Sequence, residues 1–145
     1  MKGKLEFTIP GTMPNLNDII KAKATVTSRK GKRIRSKYTD MKAAETAKVM
    51  ALAATARREG TMEGKPLIII HHYEPTRRRD QDNVHGGARK FVLDGLVKAN
   101  VLANDGWKDV AHTILAFFEH DPDNPRIEVK AYWGTFEVLV RDMDP

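Results

Sequence analysis

Apolar and polar positions alternate at the start of the chain: Leu5, Phe7 and Ile9 are separated by Glu6 and Thr8, and Pro10-Gly11 stops the run. That period of two predicts a half-buried strand. Met13-Pro14-Asn15-Leu16-Asn17-Asp18 is turn chemistry. Met41, Ala44, Ala47, Lys48, Ala51, Leu52 and Thr55 then recur at helical spacing among strong helix formers. They predict a helix from Thr39 or Asp40 to about Arg58, ended by Gly60 and Gly64. After Pro66, the β-branched run Leu67-Ile68-Ile69-Ile70-His71-His72-Tyr73 is the candidate central strand. Val84, Ala88, Phe91, Val92, Gly95, Leu96 and Ala99 make a continuous apolar stripe. It predicts a second helix over 83–100, started by Asp82 or Asn83 and ended by Asn100. Gly86 and Gly87 weaken its first turn by about 1 kcal/mol each relative to Ala. Asn104-Asp105-Gly106 reads as a turn. Strands over 111–119 and 126–133, joined by Asp121-Pro122-Asp123-Asn124-Pro125, read as a hairpin. The order β-loop-α-β-α-β-β predicts an α+β fold, with a small mixed sheet and two main helices in one domain over 1–145.

Composition narrows the function classes. The 145 residues include no Cys, which excludes disulfide frameworks, zinc ribbons and thiol chemistry and leaves oxygen or imidazole to bind any metal. No apolar run approaches the roughly 20 residues that cross a bilayer. The Met1-Lys2-Gly3-Lys4 start leads into a strand and not a signal peptide. The expectation is a cytoplasmic protein without a membrane partner.

The formal charge is +6, from 25 Lys+Arg against 19 Asp+Glu. Lys21, Lys23, Arg29, Lys30, Lys32, Arg33, Arg35 and Lys37 are opposed only by Asp40. That one segment therefore carries +7, and the rest of the chain sums to −1. With Thr25, Thr27, Ser28, Gly31 and Ser36 interspersed it cannot bury a face, so residues 21–39 read as a flexible basic loop or ribbon. A solvated charge run is the bland alternative. A polyanion-binding arm is favoured because charges this dense repel unless something compensates them.

Asp80 and Asp82 stand where the central strand should end, and in extended chain positions i and i+2 share a face. Arg77, Arg78 and Arg79 precede them. An exposed turn would simply pair these charges, for about 0–1 kcal/mol. As a site, the carboxylates would hold Mg²⁺, a hard cation, and the arginines would meet phosphate. Asp105 is a third carboxylate after the second helix, and a strand-helix-turn return is expected to bring it back near the strand's end. Three aspartates with one or two divalent ions suit phosphodiester hydrolysis, in which metal activates water and stabilises the leaving oxygen.

These residues resemble a known family. Arg77-Arg78-Arg79-Asp80-Gln81-Asp82-Asn83, then Leu93-Asp94-Gly95-Leu96-Val97-Lys98-Ala99, then Val101-Leu102-Ala103-Asn104-Asp105, is similar to the RusA family of Holliday junction resolvases. Phe7-Thr8-Ile9-Pro10-Gly11-Thr12-Met13-Pro14-Asn15-Leu16-Asn17 resembles that family's opening strand-Pro-Pro-Asn pattern, and Asn104-Asp105-Gly106-Trp107-Lys108 resembles its Gram-positive phage branch. The resemblance implies a RusA-like domain in a dimeric, Mg²⁺-dependent endonuclease, encoded by a bacterium or phage and serving DNA recombination and repair. It implies metal-binding and catalytic roles for Asp80, Asp82 and Asp105. The prototype's catalytic lysine falls on Gly86 when counted from the second aspartate. Counting back from the Leu-Asp-x-Leu segment places it at Lys90, opposite the apolar stripe, with Arg89 as a second group for the scissile phosphate.

The resulting expectation is a homodimer that cuts four-way junction DNA with Mg²⁺ and no organic cofactor. Arg77, Arg78, Arg79, Arg89 and the arm residues Arg29, Lys30, Lys32, Arg33 and Arg35 would bind DNA, with Asn15, Asn17 and Asn83 supporting the site. A non-catalytic branched-DNA binding protein is the alternative, and a soluble scaffold is the third reading. Asp121-Pro122-Asp123-Asn124 repeats the Asp-x-Asp-Asn pattern but reads as a plain turn. Of His71 and His72, one is expected to pack and one to be exposed. His85 is the histidine to test for a phosphate or catalytic role. Trp107 reads as a buried anchor before it reads as a base-stacking platform.

Overall fold

The computed structural model describes residues 3–29, 32–104 and 114–134. In chain order they form β1 (Gly3–Pro10), α1 (Leu16–Ala24), β2 (Val26–Arg29), β3 (Lys32–Ser36), α2 (Lys37–Ala54), β4 (Arg57–Gly60), β5 (Leu67–Glu74), α3 (Gln81–Lys98), β6 (Ile114–His120) and β7 (Arg126–Trp133). Five strands build one mixed sheet in the order β4-β1-β7-β5-β6, and β2 and β3 pair as a separate antiparallel ribbon. The fold is α+β, as the order of patterns predicted. No helix among the described residues is long and apolar enough to cross a membrane.

One face of the sheet carries the core. Leu5 and Ile9 of β1, Ile68 and Ile70 of β5, and Ile127, Val129 and Ala131 of β7 cluster with Ile19 of α1, Val49 and Ala53 of α2, and Phe91, Val92 and Leu96 of α3. The opposite face holds a smaller apolar group of Leu67, Ile69 and Tyr132, with Leu115 against it. Because β5 is apolar on both faces, it takes a strand on each side and sits inside the sheet.

The structure corrects several sequence expectations. The turn at 13–18 starts a helix: Asn15 accepts a hydrogen bond from the Asp18 N–H (2.9 Å), and Asp18 accepts one from the Asn15 N–H (2.9 Å). This reciprocal capping box nucleates α1, which buries only Ile19 and Ala22, too few apolar positions to show as a stripe. The segment 21–39 is not one loop. Lys21 and Lys23 end α1, Lys37 opens α2, and between them runs the ribbon in which Arg29 pairs with Lys32 and Thr27 with Arg35. The helix expected to run to Arg58 stops at Ala54, because Arg57–Gly60 turn back to pair with β1.

The expected hairpin of the last two strands is absent. β6 pairs with β5 in parallel, β7 pairs with β5 in antiparallel, and β5 separates them. The proline-flanked connection spans two strand spacings, about 9.6 Å, which a tight hairpin turn could not. It crosses the end of β5, where Asp121 N–H donates to the Glu74 carbonyl (2.8 Å).

β5, α3 and β6 make a parallel crossover, so the start of α3 stands at the carboxyl end of β5, where open α/β arrangements place their ligands. Two glycines let α3 sit close to its neighbours. A Cβ at Gly87 would collide with the Pro14 carbonyl oxygen and stand 2.8 Å from Asn15 Cα, and one at Gly95 would collide with Val49.

Candidate functional site

Asp80 is the N-cap of α3 and is extended (φ −65°, ψ 132°), but its carboxylate makes no capping hydrogen bond. Asp82 follows in the first helical turn. The i, i+2 relation of a strand therefore does not hold at this pair. Helical geometry turns the two side chains about 200° apart around the axis, so they converge only beyond the helix end. Both are exposed, and neither makes an ion pair or hydrogen bond among the described residues. Among those residues no group of three His, Asp or Glu side chains is gathered to hold a metal ion.

Asp105 lies outside the described residues, as do Lys30 and Trp107. The chain leaves α3 at the end away from Asp80. Asn100 takes a positive φ of 61°, and the Val101 and Leu102 N–H groups bond the Leu96 carbonyl (2.9 and 3.3 Å). Sixteen residues of helix, about 24 Å, separate Leu96 from Asp80.

The three arginines divide. Arg79 is committed within the protein: Nε and Nη2 donate to both oxygens of buried Glu74 (2.8 and 3.2 Å), and Nη1 donates to the Met13 carbonyl (3.0 Å). It lashes the turn before α1 to the end of β5 and positions the site, in place of the expected phosphate contact. Arg77 and Arg78 are exposed with no side-chain partner among the described residues. Arg77 borders a cleft of about 560 Å³, with Thr76, Gln81, Phe118 and His120, at the ends of β5 and β6.

Lys90 is exposed on α3, opposite the apolar stripe as expected. Its ammonium lies over the Tyr38 ring (5.3 Å to the centroid) and forms no ion pair with either aspartate. Lys23 approaches the same ring at 4.8 Å. Two cations sharing one aromatic side chain, whose hydroxyl is buried without a partner among the described residues, mark a positive patch beside α3. Asn15 caps α1 and lies against α3 at Gly87. Asn17 is exposed on α1 and Asn83 half-buried on α3, and neither shows a side-chain bond among the described residues.

The second Asp-x-Asp-Asn segment is a turn: Asp121 accepts from the Asn124 N–H (3.2 Å) and from Arg126 (2.9 Å). The Arg126 hydrogen bond holds its carboxyl below the usual range. Neither the family models nor the curated proteins compared with the chain match it.

Of the histidine doublet, expected to have one member packed and one exposed, His72 is the packed one, while His71 is half-buried and not exposed. His72 is fully buried, stacks on Phe118 (4.8 Å), and places Nε2 3.2 Å from Nδ1 of His85. Burial, then the charges of His85, Arg79 and His71, push its pKa down to about 3. Burial and then Arg89 lower that of His85, while Asp82 opposes the shift. His71 points to the other face, half-buried and 3.4 Å from Glu119. Only the histidine doublet inside an apolar strand signalled a buried imidazole, and period two could not say which.

Proposed function

We propose that the chain is a Mg²⁺-dependent, structure-selective endodeoxyribonuclease of RusA type that resolves four-way DNA junctions in recombination and repair, acting in the cytoplasm as a two-fold dimer. The observation that supports this most directly is the unneutralised pair Asp80 and Asp82 at the start of α3. Their carboxylates leave the helix uncapped and lack protein cations, while the neighbouring Arg79 is held elsewhere. Exposed oxygen donors without sulfur or imidazole suit Mg²⁺, which keeps several waters and takes few protein carboxylates. Asp80 and Asp82 would hold it; the family resemblance implies Asp105 as a third ligand, but α3 carries the chain about 24 Å from Asp80 before Asp105 is reached, so the exposed pair is what would bind the metal. When bound, the metal supplies an activated water and a counter-charge for the leaving oxygen.

Arg77 and Arg78 lie next to the pair, exposed and without a side-chain partner among the described residues, and would meet phosphate. Lys90 and Lys23 extend the positive surface towards the basic ribbon, so a DNA backbone crossing the start of α3 meets cations on both sides. Arg89 stands on the same side of α3 as Asp82, seven residues on. A dimer would give a symmetric junction two equivalent sites.

The test is cleavage of a synthetic four-way junction in Mg²⁺ or EDTA, with Asp82→Asn and Asp105→Asn alongside and molar mass measured by light scattering. Paired nicks that need metal and drop at least a hundredfold in Asp82→Asn, with junction binding kept, support the enzyme. Binding without nicks in Mg²⁺ or Mn²⁺ selects the non-catalytic branched-DNA binder. Unimpaired cleavage by Asp105→Asn removes the third ligand, and a monomer with the junction bound removes the dimer.

A further inference from the structure

His72 Nε2 and His85 Nδ1 stand 3.2 Å apart, a hydrogen-bond separation whose donor is set by the two tautomers. The other nitrogen of His72, Nδ1, is buried and has no partner among the described residues. A neutral imidazole has one donor and one acceptor nitrogen, so two arrangements compete. If His85 donated from Nδ1, His72 would carry its hydrogen on Nδ1 as an orphaned buried donor. If His72 donates from Nε2, only a lone pair is left unmet. Orphaned buried N–H groups are the rarer of the two, so the second arrangement wins.

The consequence falls on His85. With Nδ1 accepting, its own hydrogen sits on Nε2, at the other edge of a ring that is only half-buried. Arg89 is one turn further along α3, exposed, without an ion pair among the described residues, and near enough to disfavour a charge on the ring. Asp82, His85 and Arg89, at i, i+3 and i+7, share one helical face.

We infer that His85 and Arg89 form an oxyanion site for a phosphate group beside Asp82, with His72 as the buried residue that fixes the His85 ring. The assignment of the phosphate to DNA rests on the nuclease reading above; the donor geometry does not. Neutral His85 acts as a fixed N–H donor to a non-bridging oxygen, while Arg89 supplies the charge and Asp82 stays free for a cation. The same geometry disfavours His85 as a metal ligand, since that would require a bare Nε2 and return the orphaned hydrogen to His72.

Two-bond ¹H–¹⁵N correlation spectra of the labelled protein at pH 7.5 in EDTA read the tautomer directly, and inorganic phosphate is then titrated in. His85 is expected with its hydrogen on Nε2, and its ring signals and the Arg89 side-chain signal should move saturably with phosphate. His85→Ala and Arg89→Gln should each weaken phosphate binding about tenfold, the cost of one strong hydrogen bond. His72→Gln, which keeps a donor at the Nε2 position, should retain the affinity. His72→Phe should lose it and leave His85 as a tautomer mixture, with the remaining amide spectrum confirming the fold. A His85 hydrogen on Nδ1, or phosphate shifts unchanged in His85→Ala, overturns the site. Junction cleavage is scored separately. Cleavage lacking while tautomer and phosphate binding hold sinks the nuclease reading alone, and the converse sinks this inference alone.

Discussion

A histidine that must stay neutral inside the fold makes stability depend on pH. His72 ordinarily titrates near 6.5 and is pushed down to about 3. Below pH 6.5 the unfolded chain takes a proton at this position and the folded chain does not until about pH 3, so stability falls across that window as pH drops. The slope from one such group approaches about 1.4 kcal/mol per pH unit. His85, lowered in the same direction, adds to it. Urea unfolding at pH 7.5, 6, 5 and 4 should show this loss, and His72→Phe should flatten it. A pH-independent midpoint in the parent protein would contradict the buried neutral imidazole. Arg79 gives a second residue-level expectation. Arg79→Met leaves Glu74 buried without its cation and should cost about 3–5 kcal/mol of stability. Exposed Arg78→Gln should leave thermal stability within about 0.5 kcal/mol. The sequence presents the three arginines as equivalent; the buried Glu74 carboxylate and the Met13 carbonyl, 66 residues away, single out Arg79.

At the scale of elements, α3 is held by what its glycines admit. Replacing Gly87 by Ala gains about 1 kcal/mol of helix propensity but drives a methyl into the backbone of Pro14 and Asn15, which cannot rotate away. Overpacking costs about 1–3 kcal/mol, and against rigid backbone the clash should win, lowering the melting temperature. At Gly86 the obstacle is the partly exposed Leu16 side chain, 2.6 Å from the added methyl. It can move, so Gly86→Ala should be neutral or stabilising. Equal effects at both positions would mean α1 does not bear on α3 as described. The apolar stripe of α3 was legible because its period is local. The role of its glycines was not, since a missing side chain leaves no pattern. α1 escaped notice for the complementary reason: its capping box is visible in Asn15 and Asp18, but its buried face has only two residues.

The whole molecule combines a basic ribbon, a positive patch at Tyr38 and a carboxylate pair, so the DNA binding proposed above should be strongly salt-dependent. Each Lys or Arg that meets a phosphate contributes a log–log slope of about −0.9. Arg35→Gln and Arg78→Gln should each reduce the measured slope by about that amount in junction titrations between 50 and 200 mM salt. An unchanged slope would remove that residue from the interface. By itself the sequence determined the α+β class, the apolar strand and long helix that become β5 and α3, the concentration of charge before residue 40, and the placing of Asp80 and Asp82 at a strand-to-helix junction. These depend on periodicity, on turn chemistry and on counting charge, which are local. Only the tertiary structure decided that β5 lies between β6 and β7, that Arg79 serves Glu74 and Met13, that Lys90 meets Tyr38, and that His72 meets His85. Each of those is a pairing between distant segments, and burial and hydrogen-bond satisfaction are fixed only once the chain has closed on itself.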